Sequence, residues 1–518
     1  MQKSEYIKIG KAADLSDEKE RRIYRLFEIL PGALAWLTLL SVVFLSWLAP
    51  VFVSFFIITF DIYWLLKTVF LSFHLRSSFS QMRKVMKVNW LRELKNNSGR
   101  WDLSWEDIRH LIILPMYQEN YGVVAGALES LIKSNYPKEK MIVVLAVEVR
   151  AGETAREIAR RANEKYGAHF FKFLITVHPA DIAGELAGKG SNETWAAKQV
   201  KKEIIDALTI PYENILVSVF DIDTVVYPEY FGRLTYVFLE TPDRIKTSFQ
   251  PVPVFNNNIW DAPSFSRVVA QSGTFWHMMQ QERPERLATF SSHAMSFKTL
   301  AEMDFWSTKN VSEDSRIFWQ SLLFYDGRYK VAPLFYPVSM DANLAKSVWQ
   351  TARNVYKQQR RWGWGVENIP YLLFGFWQNK NIPWRTKIFW AFNHLEGFWS
   401  WATNALLIFM LGWLPLFLGG QKFNITLLSY GLPQITRFIM TLAMIGMFFS
   451  AIYGAILLPP RPEQHRRFRY VFMVIQWLIL PITIIIFGSL PGLEAQTRLM
   501  LGKYMGFWAT PKEGKGVE

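Results

Sequence analysis

The sequence predicts an α/β domain with a parallel, doubly wound sheet, inserted between groups of membrane-spanning helices. Two long apolar runs lie near the start of the 518-residue chain, and further apolar runs follow Lys387. Between them, short β-rich runs such as HLIILPMY, MIVVLAVE and ILVSVFDID alternate with helix-like segments. Strands that alternate with helices form parallel sheets, which bind their ligands at the carboxyl ends of the strands.

The composition is typical of a protein at a lipid–water boundary. Aromatic residues make up 16% of the chain, 22 residues are Trp, and the formal net charge is +14. Aromatic side chains collect at membrane interfaces, and a basic excess favours anionic partners. The basic residues cluster beside the apolar runs, so we expect membrane lipid and no nucleic acid as a partner. The absence of cysteine excludes disulfides, thiolate metal sites and a thiol nucleophile.

Five apolar segments have about the 20 residues needed to cross a bilayer. Buried core helices are the alternative interpretation. Arg-rich loops stay on the cytoplasmic side, so we expect an integral protein of the inner or plasma membrane whose α/β domain is cytoplasmic. The predicted division is a cytoplasmic segment (1–29), a transmembrane hairpin (30–75), an interfacial linker (76–104), the α/β domain (105–345), interfacial helices (346–387), transmembrane helices with spans near Ile388–Leu418, Phe438–Leu458 and Tyr470–Ser489 (388–489), and a C-terminal interfacial segment (490–518).

Three motifs in the α/β region could carry chemistry. The acids of FDID, Asp221 and Asp223, follow an apolar strand, where two carboxylates can present a hard divalent cation to phosphates. The bland alternative is a turn with a helix cap. In SEDSRIFWQ, Glu313 and Asp314 precede a helical pattern and supply either a general base or only a helix cap.

The third motif is QQRRWGWG, from Gln358 to Gly365. Arg361 could form paired hydrogen bonds with a diphosphate, and Trp362 could stack on a sugar or a base. A basic, aromatic collar at the membrane interface explains Arg and Trp but not the two consecutive Gln. Trp364 lies outside this pattern and is assigned to such a collar.

The order LPMYQE, DID, SED and QQRRW, flanked by apolar spans, resembles the membrane-embedded family 2 glycosyltransferases, which include the cellulose, hyaluronan and chitin synthases. The resemblance runs from about Leu111 to Trp362. QQRRW fits the family's Q-Q/R-x-R-W pattern in full, and SED matches its T-E-D with Ser in place of Thr. The resemblance implies a GT-A catalytic domain, a nucleotide-sugar donor, an inverting transfer and a divalent metal, Mg2+ or Mn2+.

The resemblance also implies roles for individual residues. Asp314 would be the catalytic base, with Glu313 beside it. Asp223 would bind the metal, and Asp221 would contact both the metal and the nucleotide. The remaining implied contacts are those with the nucleotide-sugar (Tyr117, Glu119, Glu148, Lys189, Gln358, Gln359 and Arg361) and the acceptor platform (Trp362).

Near the end of the chain, FWATPK (Phe507–Lys512) resembles the F-x-V-T-x-K gating loop of cellulose synthases, with Ala509 where Val is usual. Phe507 would form the gate, and Thr510 and Lys512 would contact the nucleotide. Three spans after the α/β domain would leave this loop outside the cell. We therefore expect one late apolar segment to be re-entrant or interfacial.

Two stretches depart from the family pattern. The chain reads AVEVRAGET where the family has an Asp-rich turn, so Glu148 is the substitute for the usual Asp. The acceptor-side stretch Thr289–Phe297 is unlike the Gly-containing version in cellulose synthases. His293 in this stretch is a candidate acceptor contact, and a buried structural histidine is the alternative.

The resemblance implies transfer of a sugar, from a UDP-sugar donor, to a growing β-linked polysaccharide that is exported. One alternative is a single transfer to a polyprenyl phosphate or another lipid acceptor. Another is a transporter or receptor with a nucleotide-sensing α/β domain, whose spans should carry paired charges. His394 and Glu396 are the candidates for such charges. The sequence does not indicate an oligomeric state.

Overall fold

The computed structural model describes residues 3–511 and places an eight-stranded sheet at the centre of the α/β domain. The sheet has the strand order β3-β2-β1-β4-β7-β6-β8-β5. Its strands are β1 (Arg109–Met116), β2 (Met141–Glu148), β3 (Lys172–His178), β4 (Ile215–Val219), β5 (Val225–Val226), β6 (Thr247–Val254), β7 (Ala294–Ser296) and β8 (Lys330–Ser339).

The sheet is mixed, and only part of it is parallel as predicted. β3, β2, β1 and β4 are parallel neighbours, whereas β7 pairs antiparallel with both β4 and β6. β6 and β8 are parallel, and β5 is antiparallel to β8. The prediction of a wholly parallel sheet was wrong because β7 has only three residues and carries no apolar run that marks a strand.

A helical hairpin precedes the sheet. Asp17 caps the second helix by accepting a hydrogen bond of 2.8 Å from the Glu20 amide. Pro50 starts the third helix, where a missing amide donor costs nothing. The helices begin earlier and end later than the predicted hairpin of residues 30–75, and no separate interfacial helix forms at Arg76. They are α1 (Lys3–Tyr6), α2 (Glu18–Leu48), α3 (Pro50–Val85) and α4 (Trp90–Asn96).

Helices cover both faces of the sheet and build one hydrophobic cluster on each. Along β1, Leu111 and Ile113 point into one cluster, while Ile112 and Leu114 point into the other. Burial on both faces explains the continuous apolar runs in the sequence. The helices of the domain are α5 (Tyr121–Lys133), α6 (Glu153–Tyr166), α7 (Lys189–Val200), α8 (Tyr230–Glu240), α9 (Ser264–Gln281), α10 (Phe297–Glu302) and α11 (Glu313–Phe324).

The chain after the sheet is helical. Ser347 caps the helix that carries QQRRW by accepting a hydrogen bond of 3.1 Å from the Gln350 amide. A 3-10 turn, Trp364–Glu367, follows this helix directly. The helices are α12 (Val348–Gly363), α13 (Asn368–Gln378), α14 (Trp384–Phe409), α15 (Leu414–Leu418), α16 (Gly420–Asn424), α17 (Leu427–Ile456), α18 (Arg469–Ile475), α19 (Leu480–Ile484) and α20 (Leu490–Met500).

Within residues 3–511, four helices are long and apolar enough to cross a membrane, judged by length and composition. A fifth candidate is a pair of helices, Trp384–Phe409 and Leu411–Leu418, bent by 49°. The chain therefore has the apolar helices of a membrane-associated protein. The four are Glu18–Leu48, Pro50–Val85, Leu427–Ile456 and Arg469–Met500.

The last of these, Arg469–Met500, stays in contact with the α/β domain and with α12. Just before it, His465 Nε2 lies 2.8 Å from Asp261 Oδ1. Within it, Gln476 accepts a hydrogen bond of 2.6 Å from Arg267, and Glu494 accepts one of 2.6 Å from Arg360. Near its two ends this stretch thus contacts α9 of the α/β domain and α12.

Candidate active site

A cavity of about 760 Å³ opens at the carboxyl edge of β1, β2 and β4. Because these strands are parallel, their ends bring Tyr117, Glu148 and Asp221 to one edge of the sheet. With two exceptions, all the site residues predicted from the sequence line this cavity. The exceptions are His293, which is buried beside it, and Lys512, which lies outside the described residues.

Lys189 lies at the centre of a cluster of carboxylates. Its Nζ donates to both oxygens of Asp314, at 2.9 and 3.0 Å, and lies 3.0 Å from Asp221 Oδ1. It is also 3.3 Å from Glu313 and 3.5 Å from Glu193. The first residue of α7 therefore holds together acids that come from the end of β4 and the start of α11.

The charges in this cluster shift one another's protonation. Burial alone would lower the pKa of Lys189, but the four carboxylates outweigh it and hold that pKa well above its ordinary value. Burial and then the charge of Asp314 raise the pKa of Glu313 from 4.5 to about 8, against the opposing charges of Lys189 and Arg361. Burial thus favours the neutral form of Glu313. Asp314 is the more exposed acid of the pair, with 21% of its side chain accessible against 2% for Glu313.

Activity should fall as the pH rises through about 8, because ionised Glu313 competes with Asp314 for the ammonium of Lys189 and repels the anionic donor. The Glu313→Gln variant should keep its kcat/KM on the alkaline side.

The raised pKa also means that Glu313 stabilises the fold fully below about pH 4.5, and that this contribution is lost as the pH rises through about 8. Profiles of kcat/KM and Tm against pH check both points. Identical alkaline limbs in the two proteins would remove Glu313 from this role.

A helix cap does not account for the positions of the Glu313 and Asp314 side chains. α11 begins at Glu313, but among the described residues Ser312 makes no side-chain capping bond. Glu313 and Asp314 both turn towards Lys189 instead. The first turn of α11 thus presents both acids to Lys189 and to the cavity.

Asp221 and Asp223 lie at the cavity wall in different surroundings. Asp223 is buried and accepts a hydrogen bond of 3.0 Å from the Asp341 amide. Asp221 accepts one of 3.0 Å from the Ser291 hydroxyl and contacts Lys189. The next helix, α8, begins only at Tyr230, so the two acids do not cap it.

Two groups of acids could attract a divalent cation. Carboxylate oxygens of Glu193, Glu313 and Asp314 lie within 4.8 Å of one another. The ammonium of Lys189 lies within 3.5 Å of each of them, and it also lies 3.0 Å from Asp221 Oδ1. Asp221 and Asp223 line the open cavity, where their hard oxygens fit Mg2+ or Mn2+ together with a bound phosphate. Mg2+ prefers one or two carboxylates together with phosphate oxygens from the substrate.

The two arginines of QQRRW have different environments. Arg360 pairs with Glu494 at 2.6 Å. Arg361 lines the cavity and, among residues 3–511, has no carboxylate within 4.0 Å, and its buried Nε has no hydrogen-bond partner. A partly buried guanidinium with an unused donor is suited to an anionic ligand. Gln358 and Gln359 are buried on the same helix and line the same wall.

The described part of the FWATPK segment, residues 507–511, returns to this wall. The ring centre of Phe507 lies 5.3 Å from the guanidinium carbon of Arg361. Phe507 also packs on Gly188, where an added Cβ would come within 2.7 Å of Phe507 Cβ. Thr510 is buried and lines the cavity. Any larger residue at position 188 would push the segment away from Lys189.

The remaining residues that are predicted to contact the nucleotide also line the cavity. Glu119 accepts a hydrogen bond of 2.7 Å from the Tyr117 amide, which closes the turn after β1. Glu148 is buried at the end of β2 and forms an ion pair with Arg150. Glu119 and Glu148 both line the same cavity as Arg361.

The two residues that are predicted to contact the acceptor, Trp362 and His293, differ in exposure. Trp362 is half-buried, with its ring centre 6.1 Å from that of Phe255. His293 is fully buried, its Nδ1 lies 3.0 Å from the Phe290 carbonyl and 3.9 Å from Asp314 Oδ1, and burial lowers its pKa. His293 therefore fits the alternative of a buried structural histidine, and not a contact with the acceptor.

The cavity continues between α3 and α14. This end is lined by aromatic and amide side chains that include Trp401 and Asn404. An ion pair crosses it, with Lys67 Nζ 2.9 Å from Glu396, and Arg286 lies 4.0 Å from the same carboxylate. Sequence reasoning noted Glu396 but missed its partners. Lys67, a single cation inside an apolar run, was the available signal.

Neither a protein-family model nor a curated protein sequence matches the chain. Among solved structures, it is similar to the mannosyltransferase PcManGT from Pyrobaculum calidifontis in complex with GDP-Man and Mn2+, with 13% identity, a TM-score of 0.38, and coverage of 84% of this chain and 100% of that one. It is also similar to S. aureus TarS 1-349 in complex with UDP-GlcNAc, with 12% identity, a TM-score of 0.37, and coverage of 68% and 93%. At such scores these similarities carry no argument about function, which rests on the cavity.

Proposed function

We propose that the protein is a membrane-bound, inverting glycosyltransferase with a GT-A domain. It transfers a sugar from a nucleotide-diphosphate sugar, of the UDP type, to a growing β-linked polysaccharide. One observation carries the proposal: DID, SED, QQRRW and FWAT, which are far apart in the sequence, line one cavity that continues between apolar helices. A sensor domain would need the nucleotide-binding residues but not a half-buried base and an aromatic platform in the same cavity.

The leaving diphosphate binds between Arg361 and the two aspartates. Arg361 offers donors that no described carboxylate uses, and Phe507 covers it from the side of Gly188. A divalent metal held by Asp221 and Asp223 would supply further positive charge to the diphosphate. Preorganised charge of this kind is commonly the largest contribution to catalysis.

Asp314 acts as the general base. It takes the proton of the acceptor hydroxyl, and the hydroxyl oxygen forms the new bond to the anomeric carbon. The bond from this carbon to the diphosphate breaks, and the electron pair leaves with the diphosphate. One displacement from the opposite face converts an α-linked donor into a β-linked product. Lys189 keeps Asp314 oriented through both carboxylate oxygens.

The acceptor enters from the helix side of the cavity. Trp362 stacks on its terminal sugar and holds the hydroxyl in line with the donor. A polymer would leave past Trp401 and Asn404, between α3 and α14. A single transfer to a lipid phosphate is the second candidate. The cations Lys67, Arg283 and Arg286, which line this end of the cavity, favour it, and a lipid phosphate would compete there with their carboxylate partners Glu396 and Glu285.

The contacts of Arg469–Met500 with α9 and α12 support an interfacial course for this stretch. The catalytic domain and the FWATPK segment then share the cytoplasmic side. In sealed vesicles, a C-terminal tag should be cleaved by protease together with the α/β domain. A tag protected from protease while that domain is cleaved would contradict this topology.

A panel of nucleotide-sugars offered to the detergent-solubilised protein tests the proposal. We expect one donor to give nucleotide release together with a sugar-containing product. A long product supports polysaccharide synthesis, and a single sugar in the lipid extract supports the lipid acceptor. Binding of a nucleotide without turnover of any donor would instead support a nucleotide sensor.

Removal of divalent metal should lower activity at least about 100-fold, since a metal ion contributes several kcal/mol and 1.4 kcal/mol is tenfold in rate. Added Mg2+ or Mn2+ should restore it. The Asp223→Asn variant should need a higher metal concentration for half-maximal activity. Activity unchanged by chelator would exclude a metal role for Asp221 and Asp223.

A further inference from the structure

Trp364 does not belong to an interfacial collar. It is 1% exposed and packs in a cluster with Val311, Ile369 and Leu499, which partly buried Phe507 also contacts. Its indole Nε1 donates a hydrogen bond of 2.8 Å to Glu367 Oε2. A collar tryptophan would instead present its ring to lipid and its N–H to water.

Glu367 also contacts the loop that precedes Glu313 and Asp314. Its Oε1 accepts hydrogen bonds of 2.9 Å from the amides of both Val311 and Ser312, directly before Glu313 and Asp314. Two backbone donors at the start of α11 are thus held by one carboxylate from the turn after QQRRW. Glu367 itself is 7% exposed, so water cannot easily replace these bonds.

Two neighbouring contacts reinforce the same junction. Asn368 donates a hydrogen bond of 2.9 Å to the Ser315 hydroxyl, one residue after Asp314. Arg316 is fully buried in α11, donates a hydrogen bond of 3.3 Å to the Glu367 carbonyl, and stacks on Tyr371 with its guanidinium carbon 3.9 Å from the ring centre. The turn after QQRRW and the first turn of α11 therefore form one rigid unit.

We propose that Glu367, held by Trp364, is the positioning residue that sets Asp314 relative to Arg361. Arg361 lies three residues before Trp364, and Asp314 lies two residues after Ser312. The pair therefore fixes the distance between the group that binds the diphosphate and the base that activates the acceptor. The inference rests on the proposed transfer reaction, in which both groups must act on one sugar. A displacement of about 1 Å in such an arrangement can cost about 100-fold in rate.

The test uses Glu367→Gln and Trp364→Phe in the full-length protein. Glu367→Gln keeps the shape but cannot accept from both the indole and the amides. Trp364→Phe keeps an aromatic ring and removes only the N–H donor. We expect Glu367→Gln to lower kcat about 10- to 100-fold and Trp364→Phe to lower it less, with the donor Kd of both variants unchanged. Trp260→Phe is the matched control, because Trp260 is equally buried and donates to the Pro459 carbonyl, away from α11.

The double variant separates positioning from general destabilisation. If Trp364 acts through Glu367, the double variant loses no more kcat than Glu367→Gln alone. Losses that multiply, an unchanged kcat in Glu367→Gln, or a donor Kd that rises in step with the loss of kcat would overturn the inference. If Glu367→Gln does not fold, the comparison of kcat and donor Kd between Trp364→Phe and Trp260→Phe still tests the inference. A wild-type protein inactive with every donor refutes the proposed function; an active wild type with unaffected variants refutes only this inference.

Discussion

The Asp314→Asn variant should transfer sugar about 100- to 10,000-fold more slowly than the wild type, the usual contribution of a general base. Asparagine keeps the size of the side chain but cannot take the proton of an acceptor hydroxyl. Lys189, which contacts both oxygens of Asp314, keeps Asp221 and Glu313 as partners, so the cluster should stay assembled. Donor affinity should therefore remain close to that of the wild type.

Steady-state transfer rates and calorimetric donor binding check this prediction together. Asp304→Asn serves as the matched control, because Asp304 is half-exposed and pairs with Lys8 and Lys198 on the surface. We expect this control to keep wild-type kcat. Normal transfer by Asp314→Asn would show that another group takes the proton.

The Arg361→Ala variant should lower kcat/KM about 100- to 1,000-fold, the cost of removing a preorganised donor to a developing charge. Its guanidinium has no carboxylate partner within 4.0 Å among the described residues, so its removal leaves no buried protein charge unpaired. The loss should therefore appear in catalysis and donor binding rather than in Tm.

Arg360→Ala is the matched control for this variant. It removes the neighbouring guanidinium, which pairs with Glu494 at 2.6 Å and not with the cavity. Such a partly exposed ion pair contributes about 1 kcal/mol or less to stability, so kcat/KM should stay close to the wild-type value. Equal losses in the two variants would mean that total charge near the membrane, and not Arg361, matters.

The sequence alone identified the parts of the site that depend on local pattern. Parallel strands end at one edge of a sheet, so Asp221 and Asp223 after an apolar strand could be placed there before any coordinates. The same reasoning failed at β7, whose three residues carry no apolar signal. It also ended α3 too early, because a helix can continue past its apolar run through basic residues to Val85.

The contacts within the site depend on distances that no sequence pattern encodes. Lys189 was predicted to lie near the phosphates, but its role as the common partner of four carboxylates depends on three separate segments meeting. Trp364 was assigned to the interface because a buried and an interfacial tryptophan look alike in a sequence. Burial and a single hydrogen bond to Glu367 distinguish the two.

The most direct test of the central claim is an experimentally determined structure of the Asp314→Asn variant bound to its donor and Mn2+. We predict that the diphosphate lies against Arg361, the metal against Asp223, and the anomeric carbon in front of residue 314, with Phe507 beside Gly188. Nucleotide bound outside this cavity, or a diphosphate turned away from Arg361, would contradict the account.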